Sequence, residues 1–367
     1  MLSELETGVS HAVDFPENRS APIFIEVTRG GMVESIHRGI CVISDSRGSI
    51  YKSWGDHERP IYPRSAIKPL QAIPVVASGA ADALKMSSAE LALCCASHSG
   101  ERVHTEKVAS WLKRLGLDDT NLECGPQMPS DQETAEKLIQ SGKNPLSLHN
   151  NCSGKHAGML STAIHNKQPT LGYTKADHPV QSDLIRLMSS LGNLDLSKTA
   201  RGLDGCGIPV FGIPVKSVAL AMAKFADPDI LSQSEKEACI QIREACAQNP
   251  IMISGTNKIN TLIQAETADK AVVKGGAEGV YTAAINSLGL GVCIKVDDGA
   301  GRAASVVMLH VLRKLNILND ESVKKKKFGV KDIRNWSGTL VGEIRVGEVS
   351  PSEQVICFII SLHPKIS

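Results

Sequence analysis

The chain has 367 residues, 40 Lys+Arg against 39 Asp+Glu, 42% hydrophobic residues and only 4% aromatics. A net charge of +1 argues against a generally basic nucleic-acid binder, and so few aromatics leave little material for base- or sugar-stacking platforms. No stretch approaches the roughly 18 consecutive apolar residues of a transmembrane helix.

The first 20 residues are polar and weakly patterned and read as a flexible arm, without the apolar core of a signal peptide. The expected location is therefore cytoplasmic, with no membrane partner. The ten cysteines then read as reduced thiols: buried small residues, catalytic groups or metal ligands. Ile23 to Val27 is a β-branched run that predicts a strand, Thr28 to Met32 a turn, and Val33 to Ile43 the partner strand of a hairpin. Ser65 to Gly79 has helical spacing, with Pro74 predicting a kink or an early end. Helices are also expected over Glu101 to Leu115, over Ser130 to Gly142 with a capping box at Ser130 and Glu133, and over Ser153 to His165 and His178 to Gly192. Region 217–248 is helical and alanine-rich. Ala271 to Val273 is a short apolar run, Gly279 to Ile285 and Gly289 to Val296 are strands, and Gly299 to Leu315 is a helix. Lys324 to Lys327 fall in an expected solvated loop, followed by closing strands at Leu340 to Val346 and Val355 to Leu362. Strands at both ends and a helical middle predict one sheet built from N- and C-terminal segments. The division expected is an arm over 1–20 and a single α/β domain over 21–367 with a helical middle subdomain.

Five segments carry side chains suited to chemistry. In Arg64-Ser65-Ala66-Ile67-Lys68, Ser65 and Lys68 are three apart on a first helical turn, where a lysine of depressed pKa can take a serine proton. Spacing alone is weak, because Ser49/Lys52, Ser110/Lys113 and Ser322/Lys325 repeat it as ordinary exposed pairs. The position of Ser65 at a loop-to-helix junction adds free backbone N–H groups for an oxyanion. Cys94 to Gly100 ends an apolar run in Ser97, His98 and Ser99, which either present a hydroxyl to a site or cap the following helix. His149 to His156 packs Cys152, Lys155 and His156 at helical spacing suited to a shared metal ion. Leu203 to Pro209 sets Asp204 and Cys206 among glycines that permit close backbone approach, and one zinc ion could be shared by Cys152 and Cys206. No C-x-x-C pair exists, which argues against a four-ligand zinc finger. Val273 to Gly279 places Lys274 before two glycines, like the lysine corner that faces the nucleophile in β-lactamase sites.

Taken together and in this order, these segments resemble the bacterial L-asparaginases of the thermolabile, asparaginase II type, also called class 3. The likeness lies in Thr28-Arg29-Gly30-Gly31-Met32-Val33-Glu34-Ser35, Arg64 to Pro69, Ala96 to Ser99, Asn151 to Met159, Asp204-Gly205-Cys206 and Lys274, and runs from about Ile23 onward. The block Asn151-Cys152-Ser153-Gly154-Lys155-His156 is its most specific part.

The resemblance implies a fold similar to serine β-lactamases and penicillin-binding proteins, an antiparallel sheet flanked by helices. It implies a homodimer that hydrolyses L-asparagine to L-aspartate and ammonia. Ser65 with Lys68, and Ser97 with Lys274, match its two catalytic Ser-Lys pairs, whose roles are exchangeable at this stage. Cys152, Lys155 and Cys206 match its zinc ligands; Arg64, His156 and Asp204 match its substrate-binding groups. With two Ser-Lys pairs to supply nucleophile and base, the Zn2+ is expected to orient substrate rather than activate water. The competing readings are a β-lactamase-like or peptidase hydrolase using the same Ser-Lys site, and a non-catalytic zinc or thiol sensor that would leave the Ser-Lys pairs unexplained.

Overall fold

The computed structural model describes residues 21–319 and 331–347. The expected arm over 1–20, the lysine run Lys324 to Lys327 and the strand Val355 to Leu362 lie outside the described residues. In chain order the strands are β1 (Ile23–Arg29), β2 (Met32–Asp45), β3 (Ile50–Trp54), β4 (Pro60–Ile61), β5 (Arg201–Leu203), β6 (Pro209–Phe211), β7 (Ile213–Pro214), β8 (Ala271–Gly275), β9 (Val280–Ile285), β10 (Leu290–Val296), β11 (Lys331–Arg334) and β12 (Leu340–Val346). The helices are α1 (Lys68–Gln71), α2 (Ile73–Ala77), α3 (Ala80–Ala83), α4 (Ser88–Cys94), α5 (Arg102–Arg114), α6 (Gln132–Gln140), α7 (Ser153–His165), α8 (Pro179–Gly192), α9 (Val215–Ala226), α10 (Gln233–Gln248), α11 (Pro250–Ser254), α12 (Ile259–Thr267) and α13 (Gly301–Lys314).

These elements sort into two compact units. The sheet unit takes 21–66, Ile213–Asp227 and the described residues from Lys270 onward. Its sheet runs β11-β12-β1-β2-β10-β9-β8 with β3 also on β2, and every pairing is antiparallel. The chain-end strands meet in this sheet as the sequence predicts. β9 is buried at all six positions, so both of its faces are covered, and Thr282 is the polar residue within it. Helices α9 and α13 lie against the sheet. An antiparallel sheet covered by helices is the architecture that the β-lactamase resemblance implies.

The helical unit takes Ile67–Gly212 and Pro228–Asp269. Its centre is α7, buried from Ser153 through Ala163 and packed on α2, α3, α4, α5 and α8. Trp111 of α5 is fully buried and its indole N–H donates to Ser161 Oγ on α7 at 3.1 Å.

Three expectations change in detail. The helix expected over 65–79 is a 3-10 turn at Arg64–Ile67 followed by α1 and α2, broken at Ala72 because Pro74 has no N–H to continue the ladder. Asp131, not Ser130, caps α6: the helix starts one residue later, and the Asp131 carboxylate accepts from Thr134 N at 2.9 Å. Region 217–248 is two helices, α9 and α10, divided at Pro228 and assigned to different units.

Candidate active site

Lys68 opens α1 and is fully buried. Its Nζ donates to Ala96 O and, at 3.0 Å, to Ser97 Oγ. The Ser97 turn is set by backbone: Ser97 N donates to Ile253 O at 2.9 Å, and His98 N to Asn151 O at 3.2 Å. The alternative role for this turn, capping α5, is not what the hydroxyl of Ser97 does. Glu101 occupies the cap position without a side-chain cap bond, and its carboxylate is taken by Ser99 Oγ and Thr256. The His98 ring accepts from Gly100 N at Nδ1 and lies 2.8 Å from Ser153 Oγ at Nε2. Ser153 spends its own proton on Leu148 O, so His98 is the donor and is neutral. Burial, then the nearby His104, Lys68 and His149 charges, hold its pKa well below the ordinary value.

The second cluster stands at the start of α7. Cys152 occupies the cap position, and its N–H is taken by Asn150 Oδ1 at 2.9 Å. Asn150 is anchored in turn by donating to Cys124 O and Gly125 O. Lys155, one turn on, is buried and donates to Cys206 Sγ at 3.1 Å. Cys206 is delivered by the tight turn between β5 and β6, closed by Gly207 N on Asp204 O, where Gly207 has φ +87. Its thiol donates to Asp204 Oδ2 at 3.6 Å. The neighbouring Cys206 side chain pulls the Cys152 pKa down against burial, with Lys68 and Lys155 adding, while Cys152 and burial raise that of Cys206. Burial opposes the Lys155 ammonium, but the charges of Cys152 and Cys206 outweigh it and raise its pKa. Two sulfurs and one amine make a borderline-soft donor set that fits a zinc-like ion, with a coordination position left open. Among the described residues no group of three or more His, Cys, Asp and Glu side chains offers a metal site, so an ion held here would need Lys155 as a third donor. The described cysteines are all free and buried, and Cys124, beside Cys152, is pushed up by burial to about 12.

His156 follows Lys155 and is fully buried. Its Nδ1 lies 2.7 Å from the Tyr173 hydroxyl, and Glu123 N donates to that same hydroxyl at 2.9 Å. Burial, then Lys155 and Lys68, push the His156 pKa well below the ordinary value. Neither Tyr173 nor Glu123 was a candidate from sequence.

The remaining predicted residues lie in the sheet unit. Ser65 sits in the 3-10 turn directly after Arg64, a non-glycine residue held at φ +50. That is a strained backbone value of the kind kept where geometry has a use. Lys274 is on β8, fully buried, with Nζ donating to Gly275 O at 2.5 Å. The Ser65 turn is held beside this strand by Thr282 of β9, whose hydroxyl donates to Ala66 O at 2.7 Å and to Lys274 O at 3.4 Å. Gly276 completes the contact: a Cβ there would stand 3.0 Å from Ala66 N and Pro63 O. The helical unit therefore gathers Lys68, Ser97, Cys152, Lys155, His156, Asp204 and Cys206, and the sheet unit gathers Arg64, Ser65 and Lys274.

No curated protein matches the sequence. The chain is similar to a solved structure described as Mglu in its native form, at 11% identity over 78% of this chain and 66% of that one, with a TM-score of 0.43. It is also similar to the D-alanine carboxypeptidase AmpC from Burkholderia cenocepacia, at 13% identity over 72% of this chain and 91% of that one, with a TM-score of 0.35. The chain spans slightly less than two thirds of the Mglu structure that it matches. The family model for L-asparaginase II matches residues 25–346, most of the sequence and both units. The chain belongs to the L-asparaginase II family.

Proposed function

We propose that the chain is an L-asparaginase that hydrolyses the side-chain amide of L-asparagine to L-aspartate and ammonia through two Ser-Lys pairs beside a zinc site. The observation that carries this reading, within a chain of the asparaginase II family, is the buried Lys68 side chain, three residues on from Ser65, with its Nζ 3.0 Å from Ser97 Oγ. A lysine and a serine brought together out of solvent are the parts of a general-base and nucleophile pair.

In the proposed sequence the Ser65 oxygen attacks the amide carbon and its proton passes to the neutral amine of Lys68, three residues on. Backbone N–H groups of the turn hold the oxyanion. The C–N bond breaks, the nitrogen takes a proton relayed through Ser97 and Lys274 and leaves as ammonia, and an acyl-serine remains. Water then gives a proton back through Ser97 and Lys274 and attacks the ester; the bond to Ser65 breaks, Ser65 regains its proton from Lys68, and aspartate leaves. Arg64, His156 and Asp204 are assigned to substrate binding. Cys152, Lys155 and Cys206 would hold the zinc, which when bound supplies a fixed positive charge that orients the substrate. A homodimer in the cytoplasm belongs to the same reading, and the native mass tests the dimer.

Ammonia release from L-asparagine, with L-glutamine in parallel, tests the activity. Ser65→Ala and Lys68→Met should each lower turnover by about 10²–10⁴-fold, and Lys68→Arg should not restore it, because a guanidinium cannot give up its proton. Turnover that survives Ser65→Ala and vanishes in Ser97→Ala would move the nucleophile to Ser97. No ammonia from the zinc-loaded protein would overturn the reading.

A further inference from the structure

Among the described residues, His156 Nε2 is a fully buried ring nitrogen with no hydrogen-bond partner. Which kind of group it is follows from counting protons. Tyr173 is itself fully buried, so its hydroxyl proton needs an acceptor. Its oxygen already accepts from Glu123 N, and the ring nitrogen 2.7 Å away is the acceptor its proton reaches. His156 Nδ1 must then be bare. An imidazolium, or a ring with the proton on Nδ1, would leave the buried tyrosine proton without this acceptor. The neutral ring therefore carries its one proton on Nε2, as a donor that the fold leaves unsatisfied.

We propose that Tyr173 is a positioning residue for the asparaginase reaction: its hydroxyl fixes the tautomer of His156 so that Nε2–H is a preset donor for an oxygen of the substrate. The inference rests on the function proposed above and adds a residue to it. The neighbourhood shows that Tyr173 is held for the task. The Glu123 carboxylate takes Gly172 N on one side of the tyrosine and both Thr174 N and Thr174 Oγ1 on the other. Glu123 thus pins Tyr173 through its chain neighbours while its own N–H orients the hydroxyl. A second-sphere group that sets which ring nitrogen carries the proton is a recurrent way of tuning a functional histidine. A carbonyl or carboxylate oxygen arriving at Nε2 would satisfy the donor.

Nuclear magnetic resonance of isotopically labelled histidine distinguishes a protonated from a bare ring nitrogen, and the His156 signal is assigned by its loss in His156→Gln. The expected result for the free enzyme is Nε2 protonated and Nδ1 bare. Tyr173→Phe should shift the ring toward the Nδ1–H form and lower kcat/KM by about 10–100-fold. In the His156→Gln background an amide supplies the N–H with no tautomer to set, so Tyr173→Phe should cost less than about threefold there. A merely structural tyrosine would cost the same in both backgrounds. A proton on Nδ1 in the unmodified enzyme, or an unchanged tautomer and activity within about twofold in Tyr173→Phe, would overturn the proposal. The free-enzyme tautomer is read without substrate, so a protein that released no ammonia would refute the proposed function while the ring still tested the Tyr173 assignment.

Discussion

Cys206 and Lys155 each bring a proton to the proposed zinc site, because the pKa of each is raised; that of Cys152 is lowered, by the Cys206 side chain first and then, against burial, by Lys68 and Lys155. A metal ion binds the deprotonated forms only. Zinc loading at the proposed site should therefore release about two protons, and the affinity should fall as pH falls. Calorimetry in buffers of different ionisation enthalpy counts them. Lys155→Met should reduce the count to about one and weaken binding, whereas an unchanged count would remove Lys155 from the ligand set. The sequence names these three residues because a thiol, an amine and a second thiol among glycines are visible locally. It does not name Tyr173 or Thr282. The partners of Tyr173 lie 50 and 17 residues away, and Thr282 meets a carbonyl 216 residues away. Those contacts have no spacing signature, and ordinary buried polar side chains carry them.

Glycines decide how closely the site-bearing elements pack. At Gly154 a Cβ would stand 2.5 Å from Leu93 O, and at Gly158 2.7 Å from Cys94 Sγ, so α7 lies almost backbone to backbone on the end of α4. This explains the glycine inside the Asn-Cys-Ser-Gly-Lys-His block: it lets the turn carrying Cys152 and Lys155 reach the strand of chain that leads into Ser97. In the sheet unit Gly291 plays the same part, with a Cβ 2.0 Å from Ala219 O on α9. Gly154→Ala and Gly291→Ala should each destabilise by about 1–3 kcal/mol, read from the urea midpoint. Only Gly154→Ala should also lose bound zinc, measured as metal content after gel filtration. Equal zinc in both variants would mean that the first turn of α7 tolerates displacement. Long periodic helices such as α5 and α8 are legible in sequence because each buries a regular face, Val108, Trp111 and Leu112 in the one and Val180, Leu184, Leu187 and Leu191 in the other. The short helices α3, α4, α11 and α12 escape because one or two turns give periodicity too little length, and tertiary packing rather than local propensity holds them.

For the whole chain, the buried imidazoles set how stability answers to acid. His98, His104 and His156 are each buried, and burial holds each folded pKa below the ordinary 6.5. Above that value both the folded and the unfolded rings are neutral, and these groups give stability no pH dependence. Below it the unfolded ring takes a proton that the folded ring refuses, so the unfolded state gains and stability falls as pH falls. Within this window each ring contributes a slope of up to about 1.4 kcal/mol per pH unit. Carboxylates join later: Glu90, held down by Arg114 and Ser87 against burial, begins to cost stability only as pH drops below its reference value of 4.5. Urea midpoints taken from pH 8 to pH 5 should therefore be flat at first and then decline below about 6.5. The metal-free protein is the proper sample, because proton competition at Cys152, Lys155 and Cys206 would add a second decline to the zinc-loaded one. His98→Gln keeps an N–H near Ser153 Oγ and removes one titrating ring, so its slope should be shallower by about one proton whatever its absolute stability. A slope unchanged by that substitution would mean that His98 is protonated in the folded state, which the Gly100 and Ser153 hydrogen bonds at its two nitrogens argue against.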